Sequence, residues 1–248
     1  MSLEPKVLDF IKTDVSYEMK TTSNATASLG SFNTIMPSET VYNDEEMVVM
    51  GRSNEITNLS GSPSNQLRVT MSSISTYVSP VFDLDSSHTI YINNIINANT
   101  SGEDGASGGK AWNKYISQTV TLADGQDAED LKVYLNAYRP PNTDVLVYAK
   151  FLNDSDGETF AQKLWIPLEK EGNGDSTYSS LSDRYNYREF VYNIPTSYMT
   201  GADGQFQYSV SGTTYTGYKY YAIKIVLTGT NSSVVPRVAD LRAIALQI

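Results

Sequence analysis

The 248-residue chain contains no cysteine and only one histidine, His88. The absence of cysteine excludes a disulfide framework, a thiolate zinc site and a cysteine nucleophile. A Ser-His-Asp triad or a multi-histidine metal centre would have to depend on His88 alone. We interpret His88 as a half-exposed strand residue, because it stands at the start of the strand-like run TIYINNII. Any enzymatic chemistry would therefore rest on carboxylates.

Basic residues are scarce as well, and long apolar runs are absent. Lys and Arg number 18 against 28 Asp and Glu, which gives a net charge of -10 and a pI near 4.6. Proteins that bind nucleic acid displace counterions with clustered Lys and Arg, so we expect no nucleic-acid partner. No apolar run approaches the roughly 18 residues of a membrane span, and the first residues lack the features of a signal peptide. The sequence therefore predicts a soluble protein with no membrane partner.

Apolar and polar residues alternate with a period of two through much of the chain, as is typical of half-buried strands. The run Leu131–Tyr138 alternates in this way, and a second run over 144–152 follows after a Pro-Pro-Asn turn signal. About ten such runs, separated by Gly-rich polar segments, predict an all-β fold, either an antiparallel β-sandwich or a jelly roll. The predicted core residues are Leu131, Val133, Leu135, Val145, Val147, Ile223, Ile225, Leu227, Leu241, Ile244 and Leu246.

The first 64 residues differ in composition from the rest of the chain. They are polar and contain few large aliphatic residues, so we expect an N-terminal arm or small β subdomain over 1–64 and a β-sandwich domain over 65–248. Burying one large apolar side chain gains about 1.5–3 kcal/mol, whereas ordering each residue costs about 1–2 kcal/mol. An arm with only Phe32, Ile35, Met36 and Met47–Met50 to bury therefore needs its own sandwich or a neighbouring protein, and we expect weak self-association of the isolated chain.

Two acidic loops are the only carboxylate clusters that invite a catalytic or metal-binding interpretation. A glycosidase needs two carboxylates about 5–9.5 Å apart, and proximity within one loop does not establish that spacing. The run NDSDGE offers oxygen ligands that suit calcium, but Leu152 stands where an EF-hand needs its first ligand. We therefore predict no enzyme and no cofactor, with incidental calcium binding as an alternative to solvated acidic loops. The residues concerned are Asp124, Asp127, Glu129, Asp130, Asp154, Asp156 and Glu158.

Tyrosine is abundant, with 18 residues, and there are two tryptophans. These side chains combine an apolar ring with a polar tip, which suits wet protein interfaces and sugar-stacking platforms, although packing on a sheet is the commoner role. The glycines of SGEDGASGGK lack the strand and helix of a phosphate-binding loop and predict a flexible loop. The candidate ligand or partner contacts are Trp112, Trp165, Tyr215, Tyr218, Tyr220 and Tyr221.

Four segments resemble those of large virion structural proteins of contractile-tailed bacteriophages, including cyanophages. They are YVSPVFDL (Tyr77–Leu84), a short strand over Ile92–Asn97, the block Thr119–Pro140 and the closing VPRVADLRAIAL (Val235–Leu246), in the same order. The resemblance extends over about 65–248 and brings no catalytic residues with it. It implies a place in a phage particle, with other virion proteins as partners, and solubility in the host cytoplasm before assembly.

Two functions remain open at this point. The resemblance implies a non-enzymatic structural or assembly module of a virion, most of all of its tail or baseplate. The alternative is a carbohydrate- or receptor-binding β-sandwich module that recognises a glycan receptor, since sandwich loops support varied binding sites but the fold alone licenses no function.

Overall fold

A computed structural model describes residues 2–8, 10–22, 31–35, 64–90, 96, 100–183, 185–230 and 234–248. The described residues form antiparallel sheets and three one-turn 3₁₀ helices, so the predicted all-β class is confirmed. None of the described residues belongs to a helix long and apolar enough to cross a membrane. Contacts within the chain divide it into two compact units, residues 1–94 and 95–248.

The first unit contains a three-stranded sheet and a two-stranded sheet. Its central strand pairs along its whole length with a strand from beyond residue 64, from Thr13 opposite Ser73 to Thr22 opposite Ser64. This pairing places residues 65–94 with the first unit, whereas the composition had suggested a boundary at residue 64. The strands are β1 (Ser2–Leu8), β2 (Thr13–Thr22), β3 (Asn33–Ile35), β4 (Ser64–Ser73) and β5 (Val81–Ile90), in the orders β3-β2-β4 and β1-β5.

A small core lies within the first unit. Tyr17, Met19 and Ile35 are buried there, and the half-buried Val69 and Phe82 pack against them. The three buried residues belong to the segment 1–64, and strands from beyond residue 64 supply part of the apolar surface that covers them. Phe32 is half-buried, with the Arg68 guanidinium 4.1 Å from its ring centroid. Met36 and Met47–Met50 lie outside the described residues.

The second unit is built from two facing antiparallel sheets. The first sandwich sheet has the order β10-β9-β15-β6, with β7 also paired to β15, and the second sandwich sheet has the order β11-β12-β8-β16. The strands are β6 (Lys114–Ile116), β7 (Val120–Thr121), β8 (Asp130–Tyr138), β9 (Thr143–Leu152), β10 (Ile166–Pro167), β11 (Glu169–Lys170), β12 (Arg188–Asn193), β13 (Gln207–Val210), β14 (Thr213–Thr216), β15 (Tyr220–Gly229) and β16 (Arg237–Leu246). The strands β13 and β14 form a separate hairpin.

The sandwich core is one contiguous apolar cluster drawn from both sheets. Alternate residues of β8 and β9, such as Leu135 and Val147, point into it and are almost fully buried. One hydrogen bond crosses between the sheets, where the hydroxyl of Tyr192 on β12 donates to the carbonyl of Val145 on β9 at 2.7 Å. Tyr192 therefore satisfies its only polar group while its ring fills the core.

The prediction of core residues is confirmed on the central strands and is wrong for several residues near the edge of the sandwich. Every predicted core residue of β8 and β9, together with Ile223 and Ile225, is buried, but Leu227, Leu241 and Leu246 are only half-buried. Ile244 is 46% exposed. The strand β16 ends its sheet, and alternation assigns Ala243 and Ala245 to its inner face, which puts Ile244 on the outer face.

Two substitutions test this inner and outer assignment. We expect Leu135→Ala to lower the free energy of unfolding by about 2–5 kcal/mol, because it removes buried methyl groups and leaves a cavity. Ile244→Ala should lower it by less than about 1 kcal/mol, because that side chain already contacts water. Urea denaturation followed by far-UV circular dichroism measures both values. Equal losses in the two variants would contradict the assigned face of β16.

Candidate functional site

The Gly-rich segment 100–111 is a folded loop held by three lysines from different strands. Lys224 of β15 donates to the carbonyls of Glu103 and Gly108, and Lys150 of β9 donates to Ala106 at 3.1 Å. Lys114 of β6 donates to the carbonyls of Gly108 and Gly109 at 3.0 and 2.7 Å. We call this arrangement the lysine clamp. The prediction of a flexible loop overlooked these contacts, because Lys150 and Lys224 lie far from the loop in the sequence.

The lysine clamp covers the outer face of the first sandwich sheet. Lys150 and Lys224 alternate along β9 and β15 with the residues that enter the sandwich core, so their side chains leave the sheet on the opposite side. Tyr148 and Trp165 are buried on that outer face in a second apolar cluster. The Nζ of Lys224 lies 4.5 Å from the ring centroid of Tyr148 and 5.0 Å from that of Trp165. Aromatic faces therefore solvate the buried cation.

A buried ion pair stands at the centre of the lysine clamp. Lys224 and Glu103 are both almost fully buried, and Nζ lies 3.2 Å from Oε2 of the carboxylate. The other oxygen of Glu103 accepts a hydrogen bond from the backbone N–H of Ala111 at 2.6 Å. Gly109 has a φ of +77°, and a Cβ there would lie 2.2 Å from the Glu103 carboxyl carbon, so this position requires glycine.

The electrostatics of the lysine clamp follow from burial and pairing. Burial lowers the pKa of Lys224, and Glu103 opposes this effect. Burial lowers the pKa of Lys150 too, and the neighbouring charge of Lys224 adds to the decrease. For Glu103, burial alone would raise the pKa, but the N–H of Ala111 and the ammonium of Lys224 together bring it below its ordinary value. The amine of Lys224 is enclosed and hydrogen-bonded, so this site is suited to holding a loop rather than to attacking a substrate.

Lysines also neutralise the two acidic loops. Lys219 joins them, with Nζ 2.7 Å from Asp124 and 3.3 Å from Asp154. Lys163 pairs with Asp156 and lies 2.8 Å from Glu158. The two loops are separate in the sequence, and the fold brings them next to each other.

Two further acids of the first loop accept hydrogen bonds. Glu129 accepts from the side-chain amide of Gln205 and the backbone N–H of Ile248, and Asp130 accepts from the backbone N–H of Leu131. Asp127 is half-buried. The described residues contain no group of three or more His or acidic side chains placed to hold a metal ion. Incidental calcium binding therefore stays a hypothesis without a described ligand set.

Three of the six predicted aromatic contacts lie inside the protein. Tyr218 and Tyr221 belong to the sandwich core, and Trp165 belongs to the outer-face cluster. The hydroxyl of Tyr218 donates to the carbonyl of Asp130 at 2.9 Å. These three rings have no free face for a sugar, because neighbouring side chains and backbone cover them.

The other three predicted aromatic residues are more accessible. Tyr215 is half-buried and stacks on Tyr208 with centroids 5.5 Å apart. Tyr220 is half-buried, and its hydroxyl donates to Asp154 at 3.2 Å. Trp112 is 76% exposed. The proposed platform over 215–221 is therefore not a single surface, and Trp112 is the one member whose ring is mostly open to solvent.

A cleft of about 390 Å³ opens at the side of the sandwich, where β6 ends one sheet and β16 ends the other. The sequence did not identify this site, because its two walls lie more than a hundred residues apart in the chain. The dense run of aromatic and polar residues at Trp112–Tyr115 is the one local signal that could have suggested it. The lining residues are Asn113, Lys114, Tyr115, Ile225, Leu227, Val238, Ala239, Asp240 and Leu241.

Breaking the central ion pair of the lysine clamp tests its structural role. We expect Glu103→Gln to lower the free energy of unfolding by about 3–5 kcal/mol, because it leaves the Lys224 ammonium buried without its counter-charge. The double variant Glu103→Gln with Lys224→Met should recover part of this loss. The control is Glu189→Gln in the exposed Glu189–Arg242 pair, which should cost less than about 1 kcal/mol. Equal effects of the two single variants in urea denaturation would contradict a structural role for the lysine clamp.

The lysine clamp also predicts how stability depends on pH. The pKa of Glu103 in the folded protein lies below its ordinary value of 4.5, so its stabilisation is fully present above that pH and is lost as pH falls through the folded pKa. Thermal unfolding midpoints, measured from neutral pH downward, should therefore drop in acid. They should drop less steeply in Glu103→Gln than in the natural chain. Parallel curves for the two proteins would show that Glu103 does not contribute to the acid dependence.

No protein-family model, curated protein or solved structure matches this chain. Its function is therefore inferred from the geometry and chemistry of its own residues.

Proposed function

We propose that this protein is a non-enzymatic structural module of a bacteriophage virion, within the tail or baseplate, and that its first unit attaches it to a neighbouring virion protein. The observation that carries the proposal is the exposure of large apolar side chains in the first unit. Ile11 is 92% exposed, Ile74 is 87% exposed and Tyr77 is 95% exposed.

These side chains belong to neighbouring parts of the first unit. The N–H of Ile74 donates to the carbonyl of Lys12 at 3.0 Å, which places the turn containing Ile11 beside Ile74. Leu8 and Val81 are exposed and lie directly opposite each other in the β1–β5 pair. Soluble monomers rarely expose large contiguous apolar patches, and such patches mark interaction surfaces. We call these residues the apolar end of the first unit.

The virion-like motif at Tyr77–Leu84 coincides with this exposed surface. Tyr77, Val81 and Leu84 are all exposed, whereas Phe82 packs against the small core, so the core explains only part of the motif. The exposed part of a motif that resembles virion proteins supports attachment through this surface. Each large side chain buried against a partner would contribute about 1.5–3 kcal/mol.

The second unit supports a structural role in a different way. The acidic residues that could have served catalysis are held by lysines, as the Lys219 and Lys163 pairs show. The buried Lys224 is held by its loop. These contacts favour a stable module over a reactive site.

Incorporation into particles tests the proposal. We expect the full chain to be present in purified virions of the phage that encodes it, and a variant carrying Ile11→Ser, Ile74→Ser and Tyr77→Ser to be largely excluded. The three side chains are mostly in water, so the variant should still fold, which circular dichroism checks. Leu164→Ser is the control, because Leu164 is an exposed apolar residue of the second unit. Quantitative immunoblotting of purified particles measures incorporation.

Two outcomes would contradict the proposal at different levels. Absence of the natural chain from particles would contradict the virion role itself. Full incorporation of the triple-serine variant would contradict the apolar end as the attachment surface. Point variants are preferable to a truncation at residue 65, which would remove β2 and leave β4 without its partner.

A further inference from the structure

We propose that the cleft between β6 and β16 binds a neutral oligosaccharide, with Tyr115 as the ring on which a sugar stacks and with the side-chain amide of Asn113 as its hydrogen-bonding partner. This site goes beyond the virion role, and neither depends on the other.

The shape and lining of the cleft suit a sugar ring. Its volume of about 390 Å³ lies within the range of small-ligand sites. Ile225, Leu227 and Leu241 supply apolar surface, which matches the C–H face of a pyranose. Leu227 and Leu241 are only half-buried, because both sheets end here and nothing described closes the side of the sandwich.

Polar groups without partners stand beside this apolar surface. The backbone of Asn113 is fixed, because its carbonyl accepts a hydrogen bond from the N–H of Leu227 at 3.0 Å. Within the described part of the chain, neither the Asn113 amide nor the Tyr115 hydroxyl has a hydrogen-bond partner, and Tyr115 is 55% exposed. Asp240 lies opposite Asn136 on the outer face of β16, and its carboxylate pairs there with Nε of Arg242 at 3.2 Å, so it is not a ligand contact. An amide and a phenol can together bind the paired hydroxyls of a sugar.

Charge favours a neutral ligand over an acidic one. Lys114 is the one cationic residue among those that line the cleft, and its ammonium already donates to the carbonyls of Gly108 and Gly109. The whole chain carries a net charge of -10. An acidic sugar would therefore meet repulsion without a free cation to offset it.

The lysine clamp holds one wall of the cleft in place. Lys114 is the first residue of β6, and its hydrogen bonds to the loop anchor the segment that carries Asn113 and Tyr115. Ordering a binding-site segment costs free energy, and a wall that is already ordered avoids this cost when the ligand binds. Trp112 precedes this wall and is mostly exposed, so it offers a second ring for a longer oligosaccharide.

The experiment uses the full chain and a printed array of neutral and acidic oligosaccharides. The strongest neutral ligand is then titrated by isothermal calorimetry. We expect a neutral ligand to bind, and we expect Tyr115→Ala to weaken its affinity at least about tenfold through the loss of stacking. The matched control is Tyr185→Ala, because Tyr185 is 58% exposed, close to the value for Tyr115, but does not line the cleft.

A second variant guards against a structural effect of Tyr115→Ala. Asn113→Ala removes the side-chain amide and keeps the backbone carbonyl that accepts from Leu227, so we expect it to weaken binding while the thermal midpoint stays unchanged. Three outcomes would overturn the proposal. They are binding of no neutral oligosaccharide, binding of acidic sugars only, and neutral-sugar affinities that neither Tyr115→Ala nor Asn113→Ala changes.

Discussion

The buried pair of Lys224 and Glu103 is the interaction on which the second unit depends most. Lys224 lies on β15, which pairs with β9 along its full length, so one strand joins the sandwich core on its inner face to the lysine clamp on its outer face. A buried ammonium is tolerated only when its charge and its hydrogen bonds are satisfied. The loop 100–111 meets both needs with the Glu103 carboxylate and the backbone carbonyls, and Tyr148 and Trp165 surround the cation. Gly109 of this loop is therefore required by close packing against the Glu103 carboxylate.

The lysine clamp, together with other lysine contacts, also fixes the positions of neighbouring segments. Because the loop runs directly into β6, its anchoring by Lys114 positions the wall of the side cleft. Elsewhere in the unit, Lys219 and Lys163 hold acidic loops that would otherwise repel one another. Several lysines of this acidic chain therefore hold neighbouring loops in place through ion pairs and hydrogen bonds. The net charge of -10 disfavours polyanionic ligands.

The two units differ in how much of their apolar surface is buried. The second unit encloses most of its large apolar residues between two sheets and beneath a loop. Among its described residues, the first unit buries a small cluster around Met19 and leaves Ile11, Ile74 and Tyr77 in water. Such an arrangement is expected of a module that completes its burial by binding a partner. Tyr77, Val81 and Leu84 belong to this exposed surface, which connects the proposed attachment to a specific stretch of sequence.

Alternation of apolar and polar residues was by itself enough to determine the all-β class and the buried faces of β8 and β9, because side chains of a strand alternate between its two sides. It could not show that β16 is an edge strand, which is why Ile244 was assigned to the core and is exposed. It could not separate buried from exposed aromatic residues either, since Trp112 and Trp165 have similar neighbours in sequence and opposite environments. Only the tertiary structure brought Glu103 to Lys224 and Tyr115 to Asp240, because contacts between residues more than a hundred positions apart depend on how the sheets pair, and no local pattern records that.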